Sequence, residues 1–384
     1  PTEPRPAPAP AADPPPPADL AAWLTAQLAS WDACSRAEIY RFYDQEVRGE
    51  AFLRPGEADA GVCRPVPGSR LGLAVSLDGN PHYGALDPYW AGVNAVCEAV
   101  RNVVATGARP LALTDCLNFG SPEDPVCLGD FAEALRGMRD ACVGLGCVGT
   151  SDEPLPIVSG NVSFYNQSAA GRAIPPSPIV ACYGVLEEYG SAVTPRLKAA
   201  GDVLLLTGRR ERAWGAPGPA PGGRVPRPDP ARQGAELRAA LPLLASGRIR
   251  AAHDVADGGL LRALWEMTAL EEGPGPLGVE IDLLEVAALG AEPLPPHELL
   301  LSESPGFLFE VAETEAAATL EALRAAGVPA ATIGRVVEGP ALRVLRGAAV
   351  WCDAEVPALH RAWRSRMRGI THTAPGAEEG RDRS

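Results

Sequence analysis

The chain has 384 residues, 46% of them hydrophobic and 21% charged, usage that can build a sizeable core and that excludes global disorder. The length is two to three times that of a usual domain of ~100–150 residues, so two domains are expected. With 34 basic against 48 acidic residues the formal charge is −14, the wrong sign for a phosphate-backbone binder, and no apolar run nears the ~20 residues of a bilayer span. Neither nucleic acid nor a membrane is an expected partner. Nine cysteines without a C-x-x-C pair argue against a disulfide framework or structural zinc and fit a reducing, cytoplasmic setting.

Residues 1–17 hold nine prolines, which favour extended backbone, and residues 1–18 read as a linker. Two short helices are expected between Asp19 and Tyr43. A buried strand at Leu71–Leu77, the turn-rich Asp78-Gly79-Asn80-Pro81 and a helix from about Ala91 to Thr106 follow. Next come a strand at Leu111–Asp115, a helix at Phe131–Val143 and strands at Pro156–Ser159 and Ile179–Val185, making a first domain over 19–190. A second domain, 191–368, opens with a strand at Asp202–Thr207. The Gly/Pro/Arg-rich stretch Arg209–Arg232 reads as a loop. Then come a helix at Gln233–Ala245, a strand-turn-helix over Ala251–Met267, strands at Val279–Leu283 and Gly306–Val311, and a helix at Glu313–Ala326; residues 369–384 read as a frayed tail. The fold class is α/β in the broad sense that includes α+β.

Several clusters of oxygen-bearing side chains stand out. Asp115 lies at the predicted carboxyl end of a strand, either as an exposed ligand or as the cap of its own loop. Ser159-Gly160-Asn161-Val162-Ser163 offers backbone access, a carbonyl oxygen and a hydroxyl, or is simply a turn. Glu98 and Asn102, four apart on one helix, either share a cation or form a solvated face. His253-Asp254-Val255-Ala256-Asp257-Gly258-Gly259 joins a strand to a helix, where glycine amides suit a phosphate with its magnesium and Asp257 is the expected helix cap. Gly144-x-Gly146-x-x-Gly149 follows a helix rather than a strand, so it fails the context of a dinucleotide fingerprint. No phosphate-binding G-x-x-x-x-G-K-[ST] loop, H-E-x-x-H or nucleophile elbow is present.

Taken in order, Leu77-Asp78-Gly79-Asn80, Leu86-Asp87-Pro88-Tyr89, Glu98 to Asn102, Thr106 to Pro110, Thr114 to Gly120, Ser159 to Asn166, His253 to Leu260 and Leu301 to Ser304 form one series. Over about residues 30–365 it resembles the second half of the large catalytic subunit of the phosphoribosylformylglycinamidine synthases. The resemblance implies a two-domain unit shared with aminoimidazole ribonucleotide synthetase. It also implies an ATP- and magnesium-dependent amidoligase that makes formylglycinamidine ribonucleotide from formylglycinamide ribonucleotide and glutamine-derived ammonia. By position, the resemblance assigns Asp115 and Gly160 to ATP, Asn161 to magnesium and Ser163 to substrate. Asp59, Glu98, Asn102 and Asp254 match an auxiliary nucleotide and metal site, although Ala256 replaces a serine found there in larger relatives. The family's histidine-bearing first half, which supplies the catalytic histidines, has no counterpart in this sequence, so the chain is expected to be incomplete as a catalyst. Its expected partners are that first half, a glutamine amidotransferase and a small bridging subunit. The alternatives are a non-catalytic, nucleotide-braced half of the same assembly, or another enzyme of the superfold such as selenophosphate synthetase or thiamine-monophosphate kinase.

Overall fold

The computed structural model describes residues 2–5, 16–147, 153–214 and 223–371. Most of the proline-rich linker, Gly149 of the glycine motif, the centre of the 209–232 loop and the tail beyond 371 lie outside the described residues.

In chain order the first half forms α1 (Leu20–Leu28), α2 (Ala37–Tyr40), β1 (Ala51–Leu53), β2 (Gly61–Cys63), β3 (Gly72–Asp78), α3 (Pro81–Leu86) and α4 (Pro88–Ala105). It continues through β4 (Arg109–Asn118), α5 (Pro125–Leu145), β5 (Ile157–Ser163) and β6 (Ser177–Leu186). The expected turn at Asp78–Pro81 is instead a helix start: Asn80 accepts the amides of His82 and Tyr83, and Pro81, which has no N–H to lose, takes the first helical position. The six strands order as β1-β2-β3-β6-β4-β5, with only β4 and β5 parallel. Residues alternate across a pleated strand, so Ala74 and Ser76 of β3 are buried under α4 while Leu77 is 69% exposed on the other face. That face carries an apolar groove of about 540 Å³ lined by Tyr40, Tyr43, Leu53, Leu73 and Val75.

The second half forms β7 (Val203–Thr207), α6 (Pro230–Ala245), β8 (Ile249–Val255), α7 (Gly259–Thr268), β9 (Ala269–Leu270), β10 (Gly273–Pro274), β11 (Leu277–Asp282), α8 (Leu283–Ala287) and α9 (Pro296–Leu301). After these come β12 (Gly306–Val311), α10 (Glu313–Ala325), β13 (Ala330–Glu338), β14 (Ala341–Arg346), β15 (Ala349–Glu355) and α11 (Val356–Thr371). Seven strands order as β15-β14-β11-β13-β7-β12-β8. Sequence periodicity did not single out β13, β14, β15 or α11. The helix α11 also carries regular backbone through residues 369–371, where a frayed tail was expected.

The two halves share one core. Val96, Val103 and Leu145 of the first pack in the same cluster as Leu237, Leu244, Phe307 and Phe309 of the second. A separate cluster unites Trp265, Ile281 and Val344 with Leu20, Leu24 and Leu28, so α1 belongs to the second domain's core although it precedes the first domain in sequence. Each fully buried side chain of this size contributes roughly 1.5–3 kcal/mol.

Candidate functional site: an acidic cradle and a strand edge

The end of β3, the middle of α4 and the end of β8 meet between the domains. Asn102 Nδ2 donates to Asp78 Oδ1 at 2.8 Å, whereas Asn102 Oδ1 and Asp78 Oδ2 are both buried without a hydrogen-bond partner. Glu98 sits one turn before Asn102 on α4, so the pair lines this interior rather than a solvated face. Arg101, 3% exposed, reaches the other way, donating to Asp254 Oδ2 at 3.0 Å and to Gln233 Oε1 at 3.4 Å.

Burial drives the electrostatics. It pushes the Asp78 carboxyl up to about 8, with the Asp254 charge adding to the effect. Glu98 is raised well above the carboxylate range by burial and then by Asp78, Asp257 and Asp254. Asp254 is raised by burial against the opposing pull of Arg101. Carboxylates crowded this way, next to orphaned oxygens, suit a hard divalent cation, which takes oxygen ligands and offsets their repulsion. Glu98, Asn102 and Asp254, and with them Asp78, could hold one.

Asp59 joins the cluster differently. Its Oδ1 lies 2.7 Å from His253 Nδ1 and its Oδ2 accepts the Asp254 amide at 3.0 Å, while His253 Nε2 lies 3.0 Å from Glu266. Ligand atoms of Asp59, His253 and Asp254 fall within 4.8 Å of one another. Yet both ring nitrogens face carboxylates; burial disfavours the imidazolium, and the Asp59 and Glu266 charges outweigh it, holding His253 protonated well above its usual range. A protonated imidazole has no lone pair for a metal. Asp59 therefore orients His253 and the Asp254 backbone as much as it faces the cradle.

Asp257 does not cap α7 as expected. The cap is Gly258, at φ 80° and with no side-chain cap; its amide goes to Glu303 Oε1 at 2.9 Å, and Asp257 Oδ1 instead accepts from Asn80 at 2.8 Å. Sequence reasoning assigned no role to Asp78, Arg101 or Glu303. Asp78 had a signal, as the carboxylate ending a strand before a glycine turn; the other two become partners only through the domain packing.

The second group lies on the outer strand pair. Asp115 is not at a strand end but inside β4, which runs three residues further, and its parallel register partner on β5 is Gly160. A Cβ on residue 160 would fall 2.4 Å from Asp115 Oδ1, so glycine makes room for the carboxylate. Burial raises the Asp115 carboxyl and the Asn161 amide partly offsets this, a cross-strand contact in place of the alternative in which Asp115 caps its own loop. Residues 159–163 are edge strand rather than a turn, exposed through Val162 and half-buried at Ser163.

The pleat divides the four residues. Asp115 shares its face with buried Leu113 and Leu117, under the helices. Asn161 points to the opposite, open face, where its Nδ2 meets Cys116 Sγ at 3.8 Å, and Ser163 follows on that face with Asn166 Nδ2 at 3.1 Å from its Oγ. Asp78 and Asp115 both pair with Val180 of β6, so they stand level in the sheet, two strand spacings or roughly 10 Å apart.

Comparison with known proteins follows this division. The family model for AIR synthase related protein, N-terminal domain, matches residues 57–186, and that for the C-terminal domain matches 199–346. The chain belongs to the AIR synthase related family. Phosphoribosylformylglycinamidine synthase subunit PurL of Methanothrix thermoacetophila is 37% identical over 375 residues, covering 95% of this chain and 47% of that protein. The chain thus spans about half the length of the curated relatives it matches. Thermotoga maritima PurL complexed with ATP superposes with a TM-score of 0.69 at 22% identity, over 89% of this chain and 52% of that one. The same protein complexed with FGAR gives 0.69 at 21% identity over 88% and 53%, and PurLQS gives 0.68 at 21% over 89% and 51%. The two-domain fold is that of PurL. Among the described residues no helix is long and apolar enough to cross a membrane.

Proposed function

We propose that the chain is the second half of a phosphoribosylformylglycinamidine synthase, an ATP- and magnesium-dependent ligase that converts formylglycinamide ribonucleotide and ammonia from glutamine into the amidine. The observation that carries this reading is the 37% identity to PurL across 95% of the chain. In this reading Asp115 and Gly160 contact ATP, Asn161 holds magnesium and Ser163 contacts the substrate. Magnesium, when bound, neutralises charge on the transferring phosphoryl group. Asn161 and Ser163 lie on the open face of the sheet, and the single amide oxygen of Asn161 is far short of the six oxygens a magnesium ion takes. The remaining ligands come from a docked first half, which covers the open face and brings the catalytic histidines. Ammonia is delivered by a glutamine amidotransferase, with a small bridging subunit, as the PurLQS assembly of the relative suggests.

A second role coexists with this one. The cradle of Glu98, Asn102 and Asp254, with Asp59 behind it, joins the two domains and is buried. Its orphaned oxygens favour a metal-bound nucleotide that braces the fold without turning over.

The test mixes the chain with a separately expressed first half of a PurL relative and follows ADP formation with formylglycinamide ribonucleotide, ATP, magnesium and ammonium chloride. Turnover is expected only in the mixture, while the chain alone binds ADP with magnesium. Two folded halves that release no ADP in a substrate- and ammonia-dependent way would overturn the catalytic reading. Failure of the chain alone to bind magnesium-ADP would overturn the bracing one.

A further inference from the structure

The first described residues lie across the front of α5. Glu3 precedes a proline, which keeps it out of the helical region and splays its backbone groups. Its amide donates to Pro125 O at 3.0 Å. On the other side its carbonyl lies over Gly129, where a Cβ would come within 2.2 Å of the Glu3 oxygen. Two residues on, Arg5 Nε and Nη2 reach Asp130 Oδ1 and Oδ2 at 3.1 and 2.6 Å, a two-pronged contact to a carboxylate that is only 2% exposed.

These contacts are independent of one another and converge on one recess: a carbonyl in the first turn of α5, a bare glycine surface and a buried acid. We propose that this recess is a docking site for an extended, arginine-bearing segment, and that residues 3–5 occupy it in cis as a strap. The neighbouring anchor is α1, whose Leu20, Leu24 and Leu28 are built into the second domain's core. Residues 3–5 are thereby fastened to the first domain and α1 to the core of the second. The recess also backs onto the strand edge. Cys127, one turn before Asp130, would meet a Cβ on Gly120 at 2.9 Å, and Gly120 O accepts the Tyr165 amide two residues beyond Ser163. Docking of the strap thus bears on the end of β4 and on the turn after β5.

Hydrogen exchange at the Glu3 amide of the full chain, read by NMR, tests the proposal. Protection that does not change on dilution is expected. Arg5→Ala, Asp130→Asn and Gly129→Ala should each speed exchange at least about ten-fold, the weight of one charge-assisted hydrogen bond or one backbone clash. Amides of Phe307–Val311 should be unaffected, which reports that each variant folds. The Arg5→Ala/Asp130→Asn double variant should be no faster than either single one. Exchange at the rate of unstructured chain in the unaltered protein would overturn the docking, as would independent, additive effects of Arg5→Ala and Asp130→Asn. Protection that falls on dilution would overturn the cis assignment, since the segment would then be exchanged between copies.

Discussion

Replacing Asp78 by asparagine should stabilise the cation-free chain at neutral pH, although it removes an ionisable group from the centre of the candidate site. The Asp78 carboxyl is raised from 3.8 to about 8 in the fold, mainly by burial and then by Asp254. A carboxyl raised on folding contributes stability that is fully present below its unfolded value and is lost as pH rises toward the folded one. The window is therefore about pH 4 to 8. At pH 7 the accumulated cost is roughly 4 kcal/mol, at ~1.4 kcal/mol per pH unit. Glu98 and Asp254 are raised as well, so their contributions carry the same sign. Asparagine keeps the shape of the side chain and its contact with Asn102 but cannot ionise, and about 2–4 kcal/mol of the loss should disappear. The assay is urea unfolding from pH 5 to 8 in EDTA and in magnesium. In EDTA the unaltered chain should weaken steadily with pH and Asp78→Asn much less. Magnesium at a hundred times its Kd should restore about 2.7 kcal/mol to the former and little to the latter. A pH-independent midpoint for the unaltered chain in EDTA, or an Asp78→Asn variant weaker than it at pH 8, would refute the cradle's electrostatics.

Arg101→Leu leaves Asp254 buried beside other acids and should cost about 3–5 kcal/mol in EDTA, measured by denaturant midpoint; a cost under 1 kcal/mol would show the pair to be dispensable. Gly160→Ala places a Cβ 2.4 Å from Asp115 Oδ1 on an exposed edge, so it should cost no more than about 1–3 kcal/mol of stability while lowering ATP affinity of the two-half mixture at least about ten-fold by calorimetry. Leu77→Lys alters a side chain that is 69% exposed on the open sheet face; unfolding should shift by no more than about 0.5 kcal/mol, while sedimentation should show loss of association with the first half.

Local pattern was enough to find most elements of the first domain. The apolar run Leu71–Leu77 and the helical spacing of Ala91–Thr106 reappear as β3 and α4, but the run read as buried puts its large side chains on the open face, Leu77 69% exposed, and buries the small Ala74 and Ser76 instead. The motif series likewise located both groups of polar residues. Local pattern failed at Asp115 and at 159–163, where turn-forming residues lie within strands because β4 and β5 pair in parallel register and the ladder overrides local preference. It failed also over β13 to α11: β14 and β15 form a local hairpin, but β13 and β14 are placed by pairing with the distant β11.

Which polar residues act together was a matter for the tertiary structure. On spacing alone Glu98 and Asn102 read more readily as a solvated face than as a cation pair; the second domain closes over α4 and brings Arg101 onto Asp254. Asp115 and Asn161, brought onto neighbouring strands by the β4–β5 pairing, are separated by the pleat onto opposite faces, whereas Asp78 and Asp254, 176 positions apart, affect each other's ionisation. Sequence alone determines which backbone each segment prefers and which chemical groups are available. Burial and strand register, which arise only when distant segments meet, decide which groups share a low-dielectric space, and that sets their charge and their chemistry.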